Sequence, residues 1–287
     1  MPYRRLCGLL LLALVGHTLR AAELAPTGFP DADAVVYREG LSEPLRLFIV
    51  KPKDWKSTDR RPALIFFFGG GWTTGTPNNT ISWARWAAAQ GMIGIAPDYR
   101  TKNRYDTSPL ASVADSRAAL HWVQGHAAEC GLDPSRVVVA GNSAGGHVAL
   151  WTGITHSPPG SAADEAPRIK PAALVLFSTV SDTSLATGYT PQRFGDDAAA
   201  LSPIHQLDRA MPPVLAFHGD ADTTVPLRQA TALRDQLIAS GNICELHIVP
   251  GGSHNFGRDL PGWYEKSLEL MLDFFARHGV LPPAPAR

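Results

Sequence analysis

The chain has 287 residues, 45% of them hydrophobic and 18% charged, and its 26 basic residues balance its 26 acidic ones. This length suits one large α/β domain with a substantial core. The modest, balanced charge excludes a disordered chain and a basic nucleic-acid-binding surface, so we expect no nucleic-acid partner.

The first 22 residues have the layout of a secretory signal peptide. A basic start at Arg4 and Arg5 precedes an apolar run over residues 6–15, and small residues follow. The run is too short to cross a bilayer, which is typical of a cleaved signal, and an uncleaved membrane anchor is the alternative. We therefore expect a signal peptide over 1–22, one folded domain over 23–287 and a secreted or periplasmic protein with no stable membrane association after cleavage.

The cysteines exclude a disulfide scaffold. Cys7 lies in the predicted signal, which leaves Cys130 and Cys244. Two thiols are too few for a disulfide-rich domain or a thiolate metal site. One bridge is open in an oxidising compartment, but each cysteine adjoins an apolar strand, so we expect two separate buried thiols.

Apolar runs and turn residues predict strands and helices that alternate along the chain. In chain order the pattern first predicts strands over 34–38, 45–50 and 63–68, a helix over 81–90, a strand over 92–96 and a helix over 110–128. A turn at 133–134 then leads to a strand over 137–140, which turns into a helix. The remaining elements are strands over 172–177 and 214–218, a helix over 227–240, a strand over 245–249 and a helix over 264–278. The first two strands read as a hairpin. Strands that alternate with crossover helices imply a mainly parallel sheet with helices on both faces.

One stretch breaks this alternation. Residues 181–208 are polar, dotted with Gly and Pro, and poorly periodic. Because they precede the strand predicted at 214–218, they read as a short insertion, a surface loop or cap over a site.

The sequence Gly141-Asn142-Ser143-Ala144-Gly145 stands between a predicted strand and a predicted helix. It matches the pattern G-x-S-x-G, in which a sharp strand-to-helix turn exposes a serine hydroxyl and side chains at the flanking positions would collide. An ordinary turn serine is the alternative. The strand–turn–helix context favours Ser143 as a nucleophile.

A serine nucleophile needs a base, and the base needs an orienting acid. His254 follows the last predicted strand, and Asp222 follows the strand before it, with Asp220 as a rival acid. Both loops leave the carboxyl ends of strands, the edge at which α/β sheets build their sites. The chain order Ser, Asp, His is that of the α/β-hydrolases.

A glycine triplet offers donors for a developing oxyanion. Residues 69–71 are all glycine and directly follow a long buried strand. Glycines at that place free the backbone to direct N–H groups towards a site, and the N–H of Ala144 offers a second donor. A flexible turn is the alternative reading of the triplet.

These motifs resemble the esterase/lipase-type α/β-hydrolases, and in particular the HGG-motif carboxylesterases, which include acetyl esterases and feruloyl-esterase-like enzymes. The resemblance covers about residues 35–280. The motifs that carry it are Phe68-Gly69-Gly70-Gly71-Trp72, Pro97-Asp98-Tyr99-Arg100, Gly141-Asn142-Ser143-Ala144-Gly145-Gly146-His147, Asp222-Thr223-Thr224-Val225-Pro226 and Gly252-Ser253-His254.

The resemblance implies an α/β-hydrolase catalytic domain and a role for each matching residue. Ser143 is then the nucleophile, and Asp222 orients His254 as the base. The implied oxyanion donors are the N–H groups of Gly70, Gly71 and Ala144. Asp98 and Asp115 look like structural polar groups behind the site.

One position departs from the family pattern. The motif of the family begins with a histidine that braces the glycine loop through hydrogen bonds, and this chain has Phe68 there. The oxyanion donors are backbone atoms, so the phenyl ring does not remove them. We expect the ring to fill an apolar slot and to brace the loop by packing.

The sequence therefore predicts a secreted serine carboxylic ester hydrolase that needs no metal and no organic cofactor. Its expected substrates are small esters or acylated glycans with short-chain, acetyl or aromatic acyl groups; the sequence leaves the oligomeric state open. A peptidase of the same fold and a catalytically silent binding module are the alternatives. Trp72, Trp263 and Phe256 either offer aromatic surfaces to a substrate or pack the rim of the site.

Overall fold

The computed structural model describes residues 24–158 and 169–282, so the predicted signal peptide and Cys7 lie outside the described residues. The strands are β1 (Asp33–Arg38), β2 (Leu45–Val50), β3 (Arg61–Phe67), β4 (Ile93–Pro97), β5 (Leu132–Asn142), β6 (Ala173–Phe177), β7 (Val214–Gly219) and β8 (Cys244–Val249). The helices are α1 (Ile81–Ala89), α2 (Lys102–Tyr105), α3 (Pro109–Gly125), α4 (Ala127–Cys130), α5 (Ala144–Thr152), α6 (Arg228–Ala239), α7 (Phe256–Asp259) and α8 (Trp263–Arg277).

All eight strands join in one sheet, in the order β1-β2-β4-β3-β5-β6-β7-β8. Strand β2 runs antiparallel to both of its neighbours, β1 and β4, and every other neighbouring pair is parallel. The predicted hairpin and the mainly parallel sheet are confirmed. The carboxyl ends of β3, β5, β6, β7 and β8 consequently meet at one edge of the sheet.

The sheet is buried on both faces, as its continuous apolar runs predict. Along β3, Ile65 and Phe67 belong to one apolar cluster, and the alternate residues Leu64 and Phe66 belong to another. Successive side chains of a strand point to opposite faces, so the two clusters lie on opposite sides of the sheet. Burial of each large side chain contributes about 1.5–3 kcal/mol to stability.

Helix α5 lies inside the molecule, with all nine of its residues buried. Small residues allow it to approach the sheet closely. A Cβ atom at Gly146 would lie 2.3 Å from the Oγ1 of Thr179, which follows β6. The helix that follows Ser143 is thus buried and packs closely against the chain after β6.

Two predicted boundaries were wrong. The turn predicted at Asp133-Pro134 lies inside β5, because Leu132 already pairs with Arg61 of β3 and the ladder is irregular before it resumes at Val137. A proline is tolerated in a strand at such an irregularity. The helix predicted over 110–128 is two helices, α3 and α4, separated at His126.

The irregular stretch before β7, residues 181–208, is here named the cap segment. It contains three short 3₁₀ turns, at Pro191–Arg193, Gly195–Asp197 and Pro203–His205. Its carbonyl at Leu201 accepts hydrogen bonds from His147 and Trp151 of α5, at 2.8 and 3.2 Å. The predicted insertion therefore packs onto the helix that follows Ser143.

Cys130 and Cys244 are both free thiols, as predicted, but only Cys130 is buried; Cys244 is half-buried because it lies on the edge strand β8. Burial raises the pKa of the Cys244 thiol to about 12, which keeps it protonated and unreactive at neutral pH. Within the two described ranges, the helices are all too short or too polar to cross a bilayer.

Candidate active site

Ser143 stands on a sharp turn between β5 and α5. Its backbone has φ 54° and ψ −121°, a conformation that side-chain-bearing residues seldom adopt. Its N–H donates to the carbonyl of Phe177 at 2.8 Å, and its carbonyl accepts the first helical hydrogen bond, from His147, at 3.1 Å. These bonds hold the strained residue at the carboxyl edge of the sheet.

The glycines that flank Ser143 are required by close backbone contacts. A Cβ atom at Gly141 would lie 2.2 Å from the carbonyl oxygen of Gly145. A Cβ atom at Gly145 would lie 2.3 Å from the carbonyl oxygens of both Phe67 and Phe68. Side chains at either position would collide with backbone, as the sequence pattern predicts.

The loops after β7 and β8 bring an acid and a base together. The Nδ1 of His254 lies 2.8 Å from the Oδ2 of Asp222. The two loops approach each other so closely that Gly219 has no room for a side chain, because a Cβ atom there would lie only 2.0 Å from the carbonyl oxygen of Gly252. The N–H of Ala221 also donates to that carbonyl, at 3.0 Å.

Asp222 is held ionised by a dense set of donors. Its Oδ1 accepts the N–H groups of Thr224 and Val225, both at 2.8 Å. Burial disfavours the charge, but hydrogen bonds from His218 and His254 and from the backbone outweigh it, so the pKa of Asp222 lies well below its usual value. An ionised carboxylate only accepts hydrogen bonds, so Nδ1 of His254 carries the proton and Nε2 keeps a free lone pair.

His218 is a partner of Asp222 that the sequence analysis missed. Its side chain is fully buried, and its Nε2 lies 2.9 Å from the carbonyl of Val225 and 3.4 Å from Oδ2 of Asp222. Both neighbours are acceptors, so Nε2–H is the donor. A histidine four residues before the acid, at the end of the strand that precedes the acid's loop, was the available signal.

Asp220, the rival acid, lies elsewhere. It is exposed, and its Oδ1 accepts the N–H of Gly251 at 2.7 Å. It thus braces the turn before His254, while Asp222 contacts the imidazole itself.

The glycine loop after β3 presents backbone N–H groups. The carbonyl of Gly70 accepts the N–H groups of Thr73 and Thr74, at 3.1 and 3.0 Å. In a trans peptide the N–H points opposite to the C=O, so the N–H of Gly71 is directed away from that turn. Within residues 24–158 and 169–282, the N–H groups of Gly70, Gly71 and Ala144 donate to no protein acceptor. They are available to a ligand.

Phe68 occupies an apolar slot, as the sequence predicts. The side chain is fully buried, and its ring stacks on Tyr99 with centroids 4.1 Å apart and planes 13° from parallel. The Tyr99 hydroxyl donates to the carbonyl of Phe68 at 2.7 Å. A Cβ atom at Gly75 would lie 2.6 Å from the Phe68 ring, so the ring packs directly against the glycine loop.

Replacing Phe68 with histidine is expected to destabilise the protein without raising turnover. The new ring nitrogens would enter a slot lined by apolar groups, at a cost of about 1–3 kcal/mol. For a domain of this size the melting temperature should fall by about 2–10 °C. Thermal unfolding and kcat on one short-chain ester provide the test. An equally stable and faster variant would contradict packing as the brace of the loop.

Asp98 and Asp115 are held by arginines behind the site. Arg104 forms an ion pair with Asp98, whose carboxylate also accepts the N–H of Tyr99 at 2.9 Å. Asp115 pairs with Arg38 at 2.9 Å and with Arg100 at 2.7 Å. Both acids therefore tie the chain after β4 to its neighbours, as the resemblance implies.

Trp72 is a packing residue. It is 2% exposed, and its indole N–H donates to Nδ1 of His147 at 3.3 Å. The Nε2–H of His147 donates to the carbonyl of Leu201 at 2.8 Å. Burial lowers the pKa of His147 to about 4, so the ring stays neutral. Phe194 closes the cluster at 4.7 Å from the Trp72 ring. Of the two alternatives for Trp72, a surface for the substrate or packing of the rim of the site, the buried indole fits the second.

Two cavities open at this edge of the sheet. One, of about 420 Å³, is bordered by His254 and Asn142, the residue before Ser143. Its apolar wall is formed by aromatic rings: Phe66, Trp83, Phe177, Phe256 and Tyr264. The other, of about 510 Å³, lies between the glycine loop, at Gly71, and the cap segment. In the part of the chain that the structure describes, no three His, Cys, Asp or Glu side chains are arranged to hold a metal.

The sheet topology, the serine on its turn and the paired Asp222 and His254 define the class, an α/β-hydrolase of the esterase type. The BD-FAE family model matches residues 47–237, more than half of the chain. The chain belongs to this family.

Curated relatives carry esterase names. Two from Mycobacterium tuberculosis are the probable carboxylic ester hydrolase LipM, 30% identical over 67% of this chain, and the carboxylesterase NlhH, 33% identical over 46%. The match covers 48% of LipM and 41% of NlhH, so the chain spans about half the length of these relatives or less.

A solved esterase matches over nearly its full length. Native Est2 of Thermogutta terrifontis superposes with a TM-score of 0.82 at 36% identity, over 90% of this chain and 96% of Est2. Est2 phosphorylated by paraoxon superposes with a TM-score of 0.80, again at 36% identity, over 89% of this chain and 97% of Est2. The α/β-hydrolase fold is confirmed, and the chain is a member of a family of ester-hydrolysing enzymes.

Proposed function

We propose that this protein is a serine carboxylic ester hydrolase that acts through Ser143, His254 and Asp222. The observation that carries the proposal is the 2.8 Å hydrogen bond between His254 Nδ1 and Asp222, at the sheet edge where Ser143 stands on its strained turn. That bond leaves Nε2 of His254 as the acceptor for the hydroxyl proton of Ser143.

The reaction has two halves. His254 takes the proton as the Ser143 oxygen attacks the ester carbonyl, and the N–H groups of Gly70, Gly71 and Ala144 stabilise the oxyanion that forms. His254 then protonates the departing alcohol, which leaves an acyl-enzyme. In the second half His254 activates a water, which releases the acid and restores Ser143.

Short or aromatic acyl groups fit the proposal best. The cavity beside His254 holds about 420 Å³, and its wall of aromatic rings offers a surface that suits a short or aromatic acyl group. Structures of Est2 carry bound propionate and butyrate, and paraoxon phosphorylates Est2. An acylated glycan is the natural substrate we favour, because we also propose export through a signal peptide over residues 1–22.

A panel of p-nitrophenyl esters of rising chain length, run beside acetylated xylan, tests this function. We expect hydrolysis of the acetate and butyrate esters, lower kcat/KM for the octanoate, and release of acetate from the xylan. Failure to hydrolyse any ester would overturn the proposal. N-terminal sequencing of exported protein tests the signal peptide, which predicts a chain that begins near residue 23.

A further inference from the structure

Arg193 reaches from the cap segment to the glycine loop. Its Nη1 donates to the carbonyl of Gly71 at 3.2 Å. A Cβ atom at Gly71 would lie 2.1 Å from that nitrogen, so the guanidinium rests directly on the glycine. The side chain therefore stands next to a proposed oxyanion donor.

Most donors of this guanidinium are unused. Arginine has five N–H donors, and within residues 24–158 and 169–282 the bond to Gly71 engages one of them. The side chain is exposed, and no carboxylate of residues 24–158 or 169–282 pairs with it. Lys102, the other cation at the same cavity, is already paired with Asp106 at 3.3 Å.

The cavity at Arg193 has room for part of a substrate. It holds about 510 Å³ and runs between Gly71 and the cap segment at Phe194 and Gly195. Asp106 lines the cavity, where it is paired with Lys102, whereas Asp196 and Asp197, which follow Arg193 in the chain, do not line it. An anion in this cavity would therefore meet a free guanidinium, which binds carboxylates through two parallel hydrogen bonds.

We propose that Arg193 binds a carboxylate carried by the ester substrate, so that the enzyme prefers esters with an anionic substituent. The inference rests on the proposed ester hydrolysis and further specifies that the preferred ester carries a negative charge. The carboxylate belongs either to the acid half or to the alcohol half of the ester, and the chemistry of its recognition is the same in both.

The test compares charged and neutral esters on wild type and variants. For the acid half, p-nitrophenyl hydrogen adipate is compared with p-nitrophenyl hexanoate; for the alcohol half, 4-acetoxybenzoate is compared with phenyl acetate. Arg193→Gln removes the charge but keeps a donor for the Gly71 carbonyl, and Arg193→Lys keeps the charge. Arg209→Gln is the matched control, because Arg209 is exposed and lies just beyond the cap segment.

In Arg193→Gln, kcat/KM for one of the two charged esters should fall about 10- to 100-fold, while the neutral esters change less than about threefold. Arg193→Lys should recover part of the lost kcat/KM, and Arg209→Gln should change kcat/KM for neither the charged nor the neutral esters. Added salt should reduce the preference of the wild type for the charged ester. Which charged ester responds identifies the half that carries the carboxylate.

Equal losses on charged and neutral esters would overturn the proposal, because Arg193 would then only hold the loop. The proposal would also be overturned if Arg209→Gln lowered kcat/KM for the charged esters as much as Arg193→Gln does. It would equally be overturned if Arg193→Gln left kcat/KM for both charged esters unchanged. A wild type that hydrolyses none of the four esters would instead refute the proposed hydrolase, and this inference with it.

Discussion

Ser143→Ala is expected to lower kcat for p-nitrophenyl butyrate by about 10⁴-fold or more and to leave the protein folded. The fold should survive because the backbone bond from Ser143 to Phe177 does not involve the hydroxyl. Alanine also adopts the same strained backbone at a similar cost. The acyl-enzyme route disappears with the oxygen, and only the oxyanion donors and substrate binding remain.

A nearby serine provides the control for this variant. Ser82 lines the cavity that His254 borders, so Ser82→Ala removes a hydroxyl from the same region and should change kcat by less than about threefold. A fluorophosphonate should label the wild type and Ser82→Ala, but not Ser143→Ala. If Ser143→Ala kept a tenth of the wild-type rate, Ser143 would not be the nucleophile.

The parts of the site that the sequence predicted are those with local causes. The turn at Ser143 needs glycines because backbone atoms within a few residues, and in the adjacent strand, leave no room for side chains. Asp222 and His254 follow neighbouring parallel strands, and the alternation of elements already places such loops side by side. Steric and topological constraints of this kind can be recognised from a single sequence.

Other features depend on contacts between distant segments and were missed for that reason. The tautomer of His147 is set by the indole N–H of Trp72, 75 residues away, which needs Nδ1 as an acceptor, and by the carbonyl of Leu201, 54 residues away, which needs Nε2–H as a donor. Leu201 belongs to the cap segment, which has no periodicity from which its position could be derived. The same holds for Arg193, whose contact with Gly71 spans 122 residues.

The strand that precedes Ser143, β5, shows how tertiary pairing overrides local signals. Asp133-Pro134 is a turn signal, yet β5 begins at Leu132 because that residue pairs with Arg61. Asp133 uses its carboxylate to accept the N–H and hydroxyl of Ser135, which is turn chemistry retained within a strand. The pairing partner, not the local sequence, sets where β5 begins.

Asp222→Asn should cost about 10³- to 10⁴-fold in kcat, whereas Asp220→Asn should cost less than about threefold. The first substitution puts an N–H₂ group in place of one carboxylate oxygen, and that group cannot accept the proton on His254 Nδ1. The imidazole would then carry its proton on Nε2, the nitrogen that must accept the hydroxyl proton of Ser143 in the proposed mechanism. The second substitution keeps a carbonyl oxygen for the N–H of Gly251, so the turn before His254 survives.

The two variants are matched, because each exchanges one carboxylate for an amide in the same loop. Measurements of kcat and melting temperature on both separate chemistry from stability. The pattern that supports the assignment is a large loss of kcat in Asp222→Asn alone, at a melting temperature that leaves the enzyme folded under assay. Reversed effects would make Asp220 the acid, despite its contact with Gly251. Small effects in both would remove the orienting carboxylate from the mechanism, since the 2.8 Å bond between His254 and Asp222 would then have no part in holding the tautomer.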